Sequence, residues 1–158
     1  MTPANPVEAL PIARAMRESL WMYPIVEVIH IVGFVILVGS VLMFDLRVLG
    51  LSKQIPVRAL ARHLLPWSWG AVVLIVPTGL LMFTAHANDF LANGTFQLKM
   101  ALLMTAGINA IAFHTGPYQS VKAWDVGLPA PLVARASVTA SVVLWLAIIT
   151  CGRLLAYT

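Results

Sequence analysis

Four long apolar runs, separated by short polar stretches, dominate the pattern of this chain. A helix needs roughly 20 mostly apolar residues to cross a bilayer. The runs extend approximately from Pro24 to Leu49, Pro66 to His86, Phe96 to Thr115 and Leu132 to Leu155. Proline opens the first two, where a missing N–H costs little. Pro77 lies inside the second run and predicts a kink, which a membrane helix tolerates when neighbours satisfy the freed carbonyl. Asn88, Asp89, Asn93 and Gly94 punctuate the second connection, Gly116-Pro117 stops the third run, and Pro129 and Pro131 precede the fourth. The expected fold is all-α: an integral membrane four-helix antiparallel bundle, one domain over residues 1–158 with no internal repeat.

An amphipathic segment from about Pro11 to Trp21 precedes the first run. Ile12, Met16 and Leu20 form its apolar side at spacing four, while Arg14, Arg17 and Glu18 point toward water. Such a helix lies in the headgroup plane. Trp21 and Tyr23 suit an interfacial belt, as do Trp67, Trp69 and Trp124. Thr2, Pro3, Asn5, Pro6 and Glu8 lack the basic start of a cleavable signal peptide.

Composition agrees with lipid as the solvent. The 158 residues are 60% hydrophobic and 10% charged, against roughly 25% charged in a soluble domain. The net charge of +4 is spread over loops and termini, which makes nucleic acid an unsuitable partner. The single cysteine, Cys151, forms no intrachain disulfide and no thiolate cage. Serines 40, 68 and 141 have no recognisable acid–base partner, and no glycine-rich phosphate loop is present.

Cations set the expected orientation. Arg47, Lys53, Arg58, Arg62, Lys122 and Arg135 belong to the face carrying the first and third connections. Arg14, Arg17, Lys99 and Arg153 belong to the face carrying the termini. The positive-inside tendency therefore places the termini outside the cytoplasm, although Arg14 and Arg17 just before the first span argue the reverse.

Ionisable groups at membrane depth are expensive and mark function. The chain has four histidines, and helix direction sorts them into pairs. His30, near the start of the first run, and His86, at the end of the second, share the terminal face. His63 and His114 share the opposite one. Two facing imidazoles in an apolar bundle are the ligand set of a bis-histidine haem b. His30 and His86 are the expected axial ligands to its iron. Lys99, Arg153 and Tyr157 would hold the propionates, and Glu27, three residues before His30, would orient it. Gly33, on the same stripe, would leave room for a helix or a flat ring. An ion-paired cap of Glu27 with Arg153 or Lys99 is the competing structural reading. A carboxylate–histidine metal site built on the Glu-x-x-His of Glu27 and His30 is weaker, because it lacks further carboxylates.

His63 and His114 could hold the iron of a second haem, with Arg47, Arg62 or Arg135 near its propionates. The segment Val57–Arg62 before His63 reads as a surface helix. From His63 to His86 the run would span ~35 Å if fully helical, a long step for electron tunnelling. Asp45 and Arg47 are expected at the headgroups, each salt-bridged to a neighbour. Asn109 and Gln97 suit interhelical hydrogen bonds, and Gly79 and Gly107 suit close packing. Trp67 with His63 could edge a quinone pocket.

The chain also resembles a family of small bacterial four-helix membrane proteins of unknown function. The matching stretches are Glu18-Ser19-Leu20-Trp21 through Pro24, Glu27, His30, Asp45-Leu46-Arg47, Leu64-Leu65-Pro66-Trp67, Lys99, Gly107-Ile108-Asn109-Ala110, Phe113-His114 and Gly152-Arg153. His63 and His86 lie outside them. The resemblance implies a bacterial inner-membrane bundle and names no chemistry.

Together these features lead to the expectation of a small b-type cytochrome passing electrons between a quinone and a membrane or periplasmic protein partner. A multi-pass place in a bacterial inner membrane, with periplasmic termini, belongs to that expectation. Two other classes stay open: a non-enzymatic accessory or assembly subunit of a larger complex, and a small permease or transition-metal carrier.

Overall fold

The computed structural model describes residues 6–157, and every regular element among them is helical. α1 spans Pro11–Glu18, α2 Met22–Leu49, α3 Val57–Ala85, α4 Ala87–Ala92, α5 Gly94–Thr115 and α6 Leu132–Leu154, with a 3-10 helix at Pro117–Ala123. α2, α3, α5 and α6 are long and apolar enough to cross a membrane, which makes this a multi-pass membrane protein. Large apolar side chains such as Val35 and Ile108 face outward, as they must where acyl chains are the solvent.

Element boundaries follow local chemistry. Gly50 ends α2 at φ 116°, and the Leu51 N–H bonds the Leu46 carbonyl at 3.0 Å in a left-handed cap. Asn93 starts α5 by accepting from the Thr95 and Phe96 amides at 2.8 and 3.1 Å. α3 differs from expectation. It begins at Val57, so the Val57–Arg62 segment is continuous with the span and Pro66 lies within the helix. The start is fixed by another loop: Asp125 Oδ1 accepts from the Arg58 N–H at 2.8 Å, and the Asp125 carbonyl accepts from Val57 N–H at 3.0 Å. A single missing N–H at Pro66 or Pro77 does not break a helix capped and packed elsewhere.

α2 packs on α3, α6 packs on α2, and α5 packs on α6, while α3 and α5 do not pack backbone to backbone. Successive neighbours run antiparallel: His30 early in α2 meets Thr78 late in α3, and Asn109 late in α5 meets Ser137 early in α6. The four spans therefore form an arc whose gap lies between α3 and α5. At the terminal face, stacked rings of Phe83 and Phe96 bridge that gap, with centroids 5.9 Å apart.

α1 docks against α3, and its buried residues are Ala13 and Met16. Ile12 and Leu20 are exposed, so the apolar stripe expected from spacing four is rotated. The reason is a contact the sequence hides: Arg17 donates to the Ala85 carbonyl at 3.1 Å and to the Glu8 carbonyl at 2.7 Å. That fixes which side of α1 meets the bundle.

The opposite face is tied by Arg47, which is 4% exposed and, among the described residues, forms no salt bridge, contrary to expectation. Its guanidinium donates to the carbonyls of Ile55 at 2.6 Å and of Lys53 and Asp125 at 3.0 Å each. Inward-turned loop carbonyls need donors, and a five-donor fork supplies three from one side chain. Trp124 is also buried, not in a belt, with its indole N–H on Ser120 Oγ at 3.1 Å.

Candidate functional site

The terminal face does not bring His30 and His86 together. His30 is wedged between α2 and α3: Nδ1 and Thr78 Oγ1 are 3.0 Å apart, and a Cβ on Gly79 would stand 3.1 Å from the ring. Because the Thr78 hydroxyl donates to the Leu74 carbonyl at 2.6 Å, its oxygen is free to accept from Nδ1–H. His86 caps the C-terminal end of α3, exposed, 3.6 Å from Asp89 Oδ2 and edge-on to Tyr23. From Gly79 to His86 is about 10 Å along the helix axis. The two histidines share a membrane face but not a depth, so the residues present do not fit one bis-histidine iron. Gly33 offers no slot for a flat ring either, since Ile75 and Leu74 of α3 fill it.

The other predicted residues of this face stay apart. Glu27 is exposed, and among the described residues neither it nor Lys99 forms a salt bridge, so the expected ion-paired cap is absent. Lys99 turns inward, within electrostatic range of His30 and Cys151. Arg153 and Tyr157 pair with each other: guanidinium to hydroxyl, and guanidinium over the ring at 4.7 Å. Among the described residues no group of three histidine, cysteine or carboxylate side chains is arranged for a metal.

The second pair is divided too. His63 is exposed on α3 and lies outside the wall of the cavity that His114 helps to line, so His63 and Trp67 edge no pocket with it.

That cavity is the candidate site. It occupies about 570 Å³ in the half of the bundle away from the termini, with walls from all four spans. The size suits a small organic molecule. Phe44 and Asp45 come from α2, Trp69 and Ser68 from α3, Asn109 and His114 from α5, Ser141 and Trp145 from α6. Most of the wall is apolar. Its polar pair Asn109 and Ser137 is internally satisfied, with Ser137 Oγ donating to Asn109 Oδ1 at 2.9 Å and Asn109 Nδ2 donating to the Ser137 carbonyl at 3.0 Å.

Two polar atoms of the wall are not satisfied. Asp45 is 3% exposed beside Ser141, and its Oδ2 has no partner. His114 donates Nδ1–H to the Ala110 carbonyl at 2.8 Å, which leaves Nε2 a bare, buried acceptor. Buried polar groups without partners are rare because leaving one unpaired costs about 1–3 kcal/mol. Asp45 was expected in a salt bridge; among the described residues it forms none and faces Ser141 of α6 instead. Gly107 also lines the cavity, and a Cβ there would meet nothing within 4 Å, so it is not a close-packing position.

Residues 22–158 match the model of a family of unknown function, DUF6644. No curated protein and no solved structure matches the chain.

Proposed function

The chain belongs to this family of unknown function, and from its own geometry we propose that it binds an amphipathic small molecule of the lipid phase. The carrying observation is that one largely apolar cavity between the spans is lined by Asp45 and His114, whose Oδ2 and Nε2 are buried without partners. An apolar body with a polar group would satisfy both requirements of that wall. The gap between α3 and α5 gives such a molecule a route from the acyl chains. The reading belongs to the permease or carrier class.

Native mass spectrometry of protein extracted from membranes tests it. A bound species should appear on the wild type and be absent from Gly107→Phe, which fills the cavity from a position with open space. Equal binding by both proteins would end the reading.

A second reading keeps the b-type cytochrome, because the His114 tautomer is the one iron requires. Nε2 would hold the iron of a single-histidine haem, with Ala110 fixing the ring, and the group would supply one-electron transfer. A quinone would then donate electrons, and a membrane or periplasmic protein would accept them. An absorption spectrum decides: a Soret band that sharpens on reduction, lost in His114→Ala but kept in His30→Ala and His86→Ala, supports it. In either reading we place the chain in a bacterial inner membrane with periplasmic termini, supported by exposed Lys53, Arg58, Arg62, Lys122 and Arg135 on the far side.

A further inference from the structure

The cavity also carries information on the charge of what it binds. Asp45 is its one acidic or basic side chain apart from His114. A buried carboxylate at membrane depth needs a countercharge or a proton. Among the described residues no cation pairs with it: Arg47, two residues on, turns its Nε and Nη2 to the carbonyls of Lys53, Ile55 and Asp125. Arg135 is exposed. Ser141 is a neutral neighbour, and Oδ2 stays bare.

The second bare atom points to the same chemistry. With Nδ1–H committed to Ala110, His114 Nε2 accepts and does not donate. His114 Nε2 is therefore an acceptor, as is Asp45 Oδ2 in the ionised carboxylate, and acceptors ask for donors. A metal ion is a poor match, since no set of three ligating side chains surrounds the spot. The remaining walls include Phe44, Trp69 and Trp145, whose ring faces attract cations.

We infer that the occupant is a lipophilic ammonium, held by the Asp45 carboxylate while its apolar body lies against the aromatic walls. The inference rests on the reading of this cavity as a ligand site and adds the sign of the charge.

The test uses two rigid probes of one shape, 1-adamantylammonium and 1-adamantanol. Calorimetric titrations use full-length protein in zwitterionic nanodiscs, with empty nanodiscs subtracted. The ammonium should bind wild type roughly tenfold or more tightly than the alcohol, as a charge-assisted hydrogen bond to a carboxylate implies. Asp45→Asn should reduce the ammonium to the level of the alcohol. Equal affinity of the two probes for wild type would overturn the charge assignment and leave a neutral-ligand cavity, so the wild-type comparison decides even where Asp45→Asn does not fold. An ammonium advantage that survives in folded Asp45→Asn overturns it as well, and so does the failure of both probes to bind. Gly107→Phe should abolish both bindings; unchanged binding there would instead sink the cavity reading itself.

Discussion

Arg47 of α2 donates to the main-chain carbonyl of Asp125 at 3.0 Å, across 78 residues of sequence. Asp125 in turn caps the first turn of α3 through the Arg58 amide. One guanidinium thus holds the first and third connections on one another, and the end of α2 is built into both. Arg47→Met keeps length and apolar volume but removes a donor from three loop carbonyls, of which those of Lys53 and Asp125 keep one backbone N–H each and that of Ile55 keeps none. The expected loss is about 3 kcal/mol, read as a lower SDS midpoint in mixed-micelle unfolding. An unchanged midpoint would show that water replaces the guanidinium without cost.

The Asp125 side chain has a narrower task. Asp125→Ala removes the acceptor for one helix-start N–H, so the expected loss is about 1 kcal/mol. Asp125→Asn retains an acceptor oxygen and should restore most of it. The same unfolding titration checks both. A loss as large as that of Arg47→Met would mean that the carboxylate, not the backbone, organises the loops.

Gly79 and His30 should be coupled in a way that reverses sign. A methyl on Gly79 meets His30 Cε1 at 3.1 Å, tighter than ordinary contact. In the wild type, Gly79→Ala should therefore destabilise, by about 1 kcal/mol, since overpacking outweighs the gain in helix propensity. In a His30→Ala background the obstruction is gone, and the same change should be neutral or stabilising. A double-mutant cycle measures the difference. Additivity would mean that the imidazole moves aside freely despite its bond to Thr78.

The spans were legible because lipid imposes length and apolarity on each run, and all four emerge within a few residues of the expected ends except at α3. There the surface segment and the span are one helix, since the cap that starts it lies 67 residues away in Asp125. The inward face of each span was not legible. α2 is apolar all round, so its 3.6-residue period carries no stripe from which the turn of Asp45 toward Ser141 follows. The histidine pairing failed for a different reason. Helix direction fixes the membrane face of a residue, and only distance from the helix end fixes its depth. His86 closes α3 whereas His30 lies more than two turns inside α2. That signal was present in the sequence as the count of residues from each end. The cavity had a weaker one: an aspartate one turn before the end of an apolar run.

The gap between α3 and α5 makes the tryptophans distinguishable from the lipid side. Trp69 lies on the cavity rim and is 68% exposed, whereas Trp145 on the opposite wall is 8% exposed and packs edge-on against Phe34. Trp124 is 3% exposed beneath the loops. In single-tryptophan variants reconstituted with brominated lipids, Trp69 should be quenched strongly and Trp124 weakly, because bromine quenches at contact range. Trp145 separates two arrangements. If acyl chains fill the gap, bromine reaches the cavity and Trp145 is quenched nearly as well as Trp69. If a bound molecule occupies the cavity, Trp145 is shielded, and the shielding disappears when that molecule is stripped by detergent exchange. Gly107→Phe should shield Trp145 permanently, with or without stripping. Equal, weak quenching of Trp69 and Trp124 would show that α3 and α5 close on one another in the bilayer, and the lateral route would then be absent.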